Sequence, residues 1–287
     1  MRVGAHVSTE GGLGRAVERA QALGAETIQI FGAAPQSWRK KDYSVEESEA
    51  FQKQSSEAGV RPVFIHGVYL VNLATSDPVG LERSVDALTW SLDVCRQIGA
   101  QGTIFHLGSH RGAGFEAVLP QVVAAVQRIL HGSPGDTWLI LENSAGMGRS
   151  VGSHFSELGI IMREAADSRV KVCLDTQHAF AAGHDVSTAP GLEAALAEFE
   201  EQVGLANLVA VHANDSKIAL GGGVDRHENI GEGLIGREGF KVIMSHPAFR
   251  DVPFLLEVPG FEKKGPDKEN VDILRQIRRE LGIPPPA

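Results

Sequence analysis

The chain of 287 residues has little of several features that define whole classes of protein. Its only two cysteines are Cys95 and Cys173, which excludes a disulfide framework and a cysteine-rich zinc motif. No apolar run approaches the roughly 20 residues needed to span a bilayer, and the N-terminus MRVGAHVS has no basic and then apolar signal segment. We therefore expect a soluble, cytoplasmic protein with both thiols reduced in its core.

Basic residues are also fewer than acidic residues. Lys and Arg number 27 against 36 Asp and Glu, for a net charge of -9, which argues against a nucleic-acid partner because phosphate contacts need basic surface. That objection weakens if some of the carboxylates bind divalent cations, because the ions then set the local charge. No low-complexity linker divides the chain, so we predict a single domain over residues 1–287 with a frayed tail from about residue 281.

Eight short apolar runs alternate with helix-like patterns along the whole chain. Runs rich in Val, Ile, Leu and Phe are typical of parallel strands that are buried on both faces. The strict βα alternation favours right-handed crossovers and, at this length, an α/β fold of the (β/α)8 TIM-barrel type, whose C-terminal strand ends converge on one face. The predicted strands cover residues 3–7, 27–32, 62–67, 102–108, 137–143, 170–176, 208–214 and 252–258.

From the third run onward, each run ends at a side chain of a type that binds metal ions. Two short motifs add three more candidate ligands. They are Asp-x-x-His at the end of the sixth strand and Asp-x-His in the glycine-rich loop after the seventh strand. Imidazoles and carboxylates without thiolates suit zinc or manganese, and nine candidates exceed what one ion uses, so we predict two or three ions. The nine candidates are His66, His106, Glu142, Asp175, His178, His212, Asp225, His227 and Glu257. His6 and His110 are candidates for orienting these ligands.

Longer segments around these residues resemble the endonuclease IV family of apurinic/apyrimidinic (AP) endonucleases over nearly the whole chain. They are GAHVS, HGVYLVNLA, FHLGSH, LENSAG, CLDTQHAFAAGHD, VHANDSK, VDRHENIGEGLIG and LLEVPG. The resemblance implies three zinc ions, with manganese or iron as alternatives at some sites. Glu142 would bridge two of the ions. The implied ligand sets are His66, His106 and Glu142; then Glu142, Asp175, His212 and Glu257; then His178, Asp225 and His227.

The same resemblance implies an activity. A monomer would hydrolyse the phosphodiester 5' to an abasic site in duplex DNA, with attack by a hydroxide formed at the ions, leaving a 3'-hydroxyl and a 5'-deoxyribose phosphate. Removal of blocking groups from 3' ends would be similar chemistry. Glu142, Glu257 and His106 are the candidate catalytic residues, and Glu257 would act as a base or would orient the attacking group.

The predicted DNA contacts include one departure from the family. Tyr69 and Leu70 match its wedge positions, whereas the second loop reads Ala-Ala-Pro-Gln-Ser-Trp, with Gln36 where the family has an inserted arginine. The basic run at residues 39–41 compensates for that lost charge or is a solvated stretch opening a helix. Lys217 and Arg226 are further candidate DNA contacts.

Two other functions remain open. A sugar isomerase or epimerase of the xylose-isomerase-like barrels would need only Glu142, Asp175, His212 and Glu257 around one metal. The surplus of five further ligand-type residues argues against it. A protein that binds damaged DNA without cleaving it is the other candidate, and the complete set of ligand-type residues argues against that one.

Overall fold

The predicted barrel is confirmed in the computed structural model, which describes residues 1–285. Eight parallel strands close in the order β1-β2-β3-β4-β5-β6-β7-β10. A short antiparallel pair, β8 and β9, lies outside the barrel. The strands are β1 (Val3–His6), β2 (Ile28–Phe31), β3 (Val63–His66), β4 (Gly102–His106), β5 (Trp138–Glu142), β6 (Val170–Asp175), β7 (Leu208–His212), β8 (Asp215–Ser216), β9 (His227–Glu228) and β10 (Phe254–Leu256).

Helices surround the barrel and pack their apolar faces against the outer side of the strands. Gly24 and Gly99 end the first and third helices in the left-handed conformation that glycine adopts without a steric penalty. The helices are α1 (Leu13–Leu23), α2 (Val45–Glu57), α3 (Pro78–Ile98), α4 (Phe115–Gly132), α5 (Phe155–Ala165), α6 (Thr176–Ala182), α7 (Ala189–Gln202), α8 (Gly236–Ser245) and α9 (Lys268–Glu280).

The barrel interior is filled by one compact apolar layer. Its members come from six neighbouring strands: Phe64, Ile104, Ile140, Cys173, Ala210 and Leu255. Each lies two residues before one of the six predicted strand-end ligands. Because side chains on a strand alternate between faces with a period of two, this layer forces the six ligand-type residues to point inward as well, directly above it.

Three local features differ from the sequence prediction. A helix, α6, begins immediately after β6, where only a strand exit was predicted, and the loop after β7 contains the β8–β9 ribbon. The basic run at 39–41 opens no helix, because α2 begins only at Val45, after its cap Ser44.

The last helix, α9, lies close to the start of β1. Arg278 of α9 is buried and pairs with both oxygens of Glu26, at 2.6 and 2.8 Å, and donates to the carbonyl of Met1. In the tail predicted to fray from residue 281, Leu281 and Ile283 pack on the core, while residues 286–287 lie outside the described residues. Among the residues described, no helix has the length and apolar character required to span a membrane.

Candidate metal centre

Six of the nine candidate ligands lie at the C-terminal mouth of the barrel. Five occupy the last position of a strand, and Glu257 follows β10 by one residue. Glu142, Asp175 and His212 are completely shielded from solvent, and His66 nearly so. Buried charges of this kind are costly unless they are paired or bind a metal. The site is thus built where the apolar interior ends and the buried side chains turn polar.

The other three candidates come from α6 and from the loop that carries the β8–β9 ribbon, neither of which the sequence predicted. His178 lies in the first turn of α6, where its backbone N–H donates to Asp175, the residue that caps the helix, at 2.8 Å. His227 lies in β9, and Asp225 precedes it by two residues. The Oδ1 atom of Asp225 is 3.4 Å from Nε2 of His178 and 3.3 Å from Nε2 of His227.

Three overlapping clusters result, and in each the ligand atoms lie within 4.8 Å of one another. Glu142 belongs to two clusters and Asp175 to two. The grouping resembles the sets implied by the sequence except at one place, where Asp175 takes the position next to His178 and His227 that had been given to Asp225. The clusters are His66, His106 and Glu142; Glu142, Asp175, His212 and Glu257; and Asp175, His178 and His227.

Unsatisfied buried atoms test whether these residues fit metal ions. Oε2 of Glu142, Nε2 of His178 and Nε2 of His227 are shielded from solvent and have no hydrogen-bond partner. Leaving a buried donor or acceptor unpaired costs about 1–3 kcal/mol, and more if the group is charged. Ions at the clusters would satisfy all three atoms, because each lies close to other ligand-type atoms. Oε2 of Glu142 lies 3.5 and 3.6 Å from Nε2 of His66 and His106, and Nε2 of His227 lies 3.7 Å from Oδ2 of Asp175. Nε2 of His178 lies 3.4 Å from Oδ1 of Asp225.

The opposite ring nitrogens of the imidazoles are already engaged. Nδ1 of His66 donates to the carbonyl of Gly67 at 2.7 Å, and Nδ1 of His178 donates to the carbonyl of Asn143 at 3.0 Å. In His227, Nδ1 lies 3.3 Å from the carbonyl of Glu257. Metal-ligating histidines characteristically use their second nitrogen in this way, which fixes the tautomer and leaves the first nitrogen to bind an ion.

The imidazoles and carboxylates of the site shift one another's pKa values. Burial raises the pKa of Glu142, but the imidazoles of His106 and His212 hold that pKa well below its ordinary value. Burial lowers the pKa of His178, while Asp175 and Asp225 raise it well above its ordinary value. Burial likewise opposes ionisation of Asp225, yet His178 lowers its pKa to about 2. Glu142 and Asp225 therefore stay ionised at neutral pH and available to cations.

Sequence reasoning missed three amides that support the ligands. Asn214 donates to Oδ2 of Asp175 at 2.6 Å and accepts from the backbone N–H of Glu257 at 2.8 Å. Asn143 accepts from the backbone N–H of Asp175 at 2.6 Å. Gln29, fully buried in β2, contacts His212 and Glu257. A polar residue inside the apolar run IQIF is the signal that was available for Gln29.

The two histidines proposed to orient ligands differ in their placement. Nδ1 of His6 is 3.3 Å from Oε1 of Glu257 and 3.0 Å from Nε2 of Gln29, at the edge of the metal centre. His110 instead accepts from the backbone N–H groups of Gly112 and Gly114, so it braces its own loop.

Comparison with known proteins agrees with this geometry. A family model described as a xylose isomerase-like TIM barrel matches residues 17–278. A probable endonuclease 4 from Methanoculleus marisnigri is 43% identical over 96% of this chain and 98% of its own. The chain belongs to the endonuclease IV family.

Structural comparison separates the endonuclease IV family from other barrels of the same shape. The crystal structure of endonuclease IV from Thermus thermophilus superposes with a TM-score of 0.86 at 36% identity, covering 98% of this chain and all of that one. D-psicose 3-epimerase from Clostridium cellulolyticum superposes with a TM-score of 0.67 at only 15% identity, over 97% of this chain and 92% of its own, which shows the fold alone. As an endonuclease IV family member, the chain is an enzyme, a hydrolase of the nuclease class.

The mouth of this endonuclease IV family site is a cavity of about 470 Å³ whose wall includes Tyr69. Tyr69 and Leu70 are exposed, and the Tyr69 ring stands edge-on to Phe31 and His66, with centroids 5.2 and 5.8 Å apart. The backbone N–H of Tyr69 donates to the carbonyl of Pro35, and Gln36 is the residue that follows Pro35 in the sequence. The wedge candidates and the substituted position therefore share one rim.

The remaining basic candidates are partly engaged with neighbouring groups. Lys217 pairs with Glu228 at 3.2 Å, and Arg226 donates to the carbonyl of Asp225. Lys40 pairs with Asp86 at 2.7 Å, and Lys41 lies 4.4 Å from the Tyr43 ring centroid.

Proposed function

We propose that the chain is a DNA-repair endonuclease that hydrolyses the phosphodiester 5' to abasic sites in duplex DNA. The products would be a 3'-hydroxyl and a 5'-deoxyribose phosphate. The observation that carries the proposal is the sharing of Glu142 and Asp175 among three ligand clusters at the mouth of one barrel. Adjacent cations suit phosphodiester hydrolysis because the attacking and leaving oxygens both need stabilisation.

Three zinc ions are the proposed cofactors, with manganese or iron as substitutes. His66, His106 and Glu142 would hold one ion, and Glu142, Asp175, His212 and Glu257 the second. His178 and His227 would hold the third with Asp175 or Asp225, since Asp225 approaches both imidazoles as closely as 3.3 and 3.4 Å. Bound zinc would lower the pKa of a water and neutralise charge on the phosphate.

Glu257 is proposed to take the proton of the attacking water. Its Oε1 accepts from Gln29 at 2.6 Å, so the carboxylate is held in place, and Oε2 points to Nδ1 of His212 at 3.2 Å. Burial raises the pKa of Glu257, but His212 and His6 lower it well below its ordinary value, so the carboxylate is ionised. His106 is the candidate contact to the phosphate, because its side chain is 36% exposed while His178 is 2% exposed.

The proposed substrate is damaged duplex DNA bound by a single copy of the chain. Tyr69 and Leu70 would enter the duplex at the lesion, where an abasic site has little stacking to lose. Gln36 would stand beside them without the charge of an arginine, and Lys217 and Arg226 would contact phosphates. The same site would accept blocked 3' ends, because the bond broken is again a phosphodiester.

A sugar isomerase or epimerase is the second candidate, because Glu142, Asp175, His212 and Glu257 form one of the clusters by themselves. One ion at that cluster would leave the buried Nε2 atoms of His178 and His227 without a hydrogen-bond partner and without a metal ion. We therefore favour the nuclease.

Cleavage of a labelled duplex with one tetrahydrofuran abasic analogue tests the proposal. The analogue blocks β-elimination, so a nick 5' to it reports hydrolysis. Metal content is measured on the same preparation, and a chelator-treated sample is the control. A nick with about three ions per chain supports the proposal. Filled metal sites without a nick would instead favour a sugar substrate or binding alone.

A further inference from the structure

The loop that follows β7 is folded around one buried carboxylate, that of Asp215 in β8. Asp215 is completely shielded from solvent. Its two oxygens accept hydrogen bonds from backbone N–H groups at distances of 2.8 to 3.2 Å. The donors are Ser216, Gly231, Gly233, Ile235 and Gly236.

Converging backbone N–H groups form an anion-binding nest, the kind of concavity that binds phosphate in other proteins. Here the anion is a side chain of the same chain. The nest requires glycine at its closest approach, because a Cβ on Gly233 would lie 2.4 Å from Oδ1 of Asp215. Gly231 and Gly236 have φ of 90° and 68°, in the left-handed region that glycine adopts freely.

The nest encloses the segment that supplies part of the metal centre. In the β8–β9 ribbon, Asp215 pairs with Glu228 and Ser216 pairs with His227. Asp215 therefore anchors the ribbon at its start, and residues 231–236 anchor the chain after it. Asp225 and His227 lie between these two anchors.

Two buried amides hold the same loop from outside the nest. Oδ1 of Asn270, in α9, accepts from the backbone N–H of Ile230 at 2.9 Å. Nε2 of Gln177, next to His178, donates to the carbonyl of Val224, next to Asp225, at 3.0 Å. The loop thus has fixed contacts on both sides of Asp225 and His227, and none of these contacts involves a ligand atom of the metal centre.

We infer that Asp215 is a positioning residue that assembles the ligands of the third ion before any ion binds. It acts through the backbone of residues 216 and 231–236 and touches neither substrate nor metal. Ordering a flexible loop on metal binding costs conformational entropy, and a loop that is already folded around Asp215 avoids that cost. The inference rests on the proposed function only for the number of ions.

Amide hydrogen exchange on the metal-free wild-type protein tests the inference without a mutation. The N–H groups of Gly231, Gly233, Ile235 and Gly236 are expected to exchange at least about tenfold more slowly than exposed amides of the loop. Metal should change their protection little. Exchange at unprotected rates in the metal-free protein, with protection only after zinc is added, would overturn the inference.

The variant Asp215→Asn tests the link to the metal centre. Its amide nitrogen would face N–H donors, so the nest is expected to open and the affinity for one ion to fall about 10–100-fold while the others remain. Glu232→Gln, an exposed change of the same chemistry in the same turn, is the matched control and should keep all the ions. Wild-type metal content and amide protection in Asp215→Asn would contradict the inference.

Gly233→Ala provides a second test that keeps the carboxylate, and it should cause the same selective loss of one ion by blocking the close approach. If neither variant folds, the wild-type exchange measurement still decides. Failure of the proposed nuclease function would appear as absent cleavage by the wild type, which none of these measurements uses.

Discussion

Gln29 fixes the orientation of His212 at the centre of the barrel mouth. Its Oε1 lies 2.8 Å from Nε2 of His212, and its Nε2 donates to Oε1 of Glu257 at 2.6 Å. Because the Gln29 amide nitrogen donates to Glu257, the Gln29 amide oxygen is the atom that faces the imidazole. This oxygen can only accept, so His212 donates to it through Nε2. Nδ1 is then the nitrogen that faces Glu142, at 2.8 Å, and that is available to an ion.

Replacing Gln29 with methionine should therefore weaken metal binding. Gln29→Met keeps the approximate volume but removes the acceptor for His212 and the donor to Glu257, and we expect the affinity for the ions to fall about 10–100-fold. Competition with a chromogenic chelator measures it. Gln52→Met, an exposed change on α2, is the control, and equal affinities for the two variants would contradict the assignment.

Glu142→Gln should lose metal and nuclease activity together. Glu142 takes part in two of the clusters, and an amide has one acceptor oxygen where the carboxylate has two. We expect at least one ion fewer per chain by elemental analysis and a rate on abasic duplex reduced by about 100-fold or more. Glu201→Gln on the exposed side of α7 should change neither, and full metal content in Glu142→Gln would refute the bridging role.

Tyr69→Ala should weaken capture of abasic DNA while leaving metal content intact. Tyr69 is 59% exposed at the rim, and loss of one stacked ring costs about 1–3 kcal/mol, so KM should rise about tenfold or more. Steady-state kinetics on the tetrahydrofuran duplex measure the effect. A fall in zinc content instead would mean that Tyr69 supports His66 and not the DNA.

Metal binding should strengthen as pH rises. Burial opposes protonation of His178, but Asp175 and Asp225 raise its pKa well above the ordinary value, so in the metal-free protein protons compete for this ligand near neutral pH. The raised folded-state pKa stabilises the metal-free form below the unfolded pKa, and this stabilisation is lost as pH rises through the folded pKa. The increase in Tm on adding zinc should therefore be larger at about pH 8 than at about pH 6.

Asp225 contributes to stability with the opposite dependence on pH, and over a different pH range. Burial opposes ionisation of Asp225, but His178 lowers its pKa to about 2, so its contribution is present above the unfolded pKa and lost only as pH falls toward about 2. Between about pH 6 and about pH 8 the Asp225 carboxylate keeps its charge, so the expected competition with protons comes from His178. A zinc-induced Tm shift that is flat or decreases over this interval would contradict the expected competition.

Gln36→Arg should increase affinity for DNA. Gln36 is exposed beside the wedge candidates, and one added phosphate contact should steepen the dependence of log affinity on log salt by about one unit. Binding to abasic duplex over a salt series measures it. Gln21→Arg adds the same charge near the C-terminal end of α1, away from the barrel mouth, and should leave the slope unchanged.

Local patterns were enough to predict the barrel and the inward direction of most ligand-type residues. His66, His106, Glu142, Asp175 and His212 end apolar strands, and the period of two that places Ile104 or Ile140 inside also turns the next alternate residue inward. These relationships span only a few positions, so they can be read directly from the chain. The metal-ligand roles themselves stay predictions that the mutations above test.

Supporting contacts between distant segments could not be predicted in the same way. Gln29 meets His212 across 183 positions, and Asn214 meets Glu257 across 43. In the sequence, Asp215 is only one residue of a family motif. No local pattern indicates that the backbone of residues 231–236 donates hydrogen bonds to its carboxylate. Whether Asp175 or Asp225 completes the group around His178 and His227 depends on how the β8–β9 ribbon folds over α6.

The sequence by itself determined the fold class and the residue types of the centre, because the apolar runs and the residues that end them can be read along the chain. The motif segments around those residues identified the family by resemblance. Tertiary structure decided which side chains share a cluster, which imidazole nitrogen faces it, and where the loop carrying Asp225 and His227 is fixed. Those outcomes depend on distances of about 3 to 4 Å between elements far apart in sequence. Such distances are set by barrel closure and by packing among many residues at once, and no local pattern encodes them.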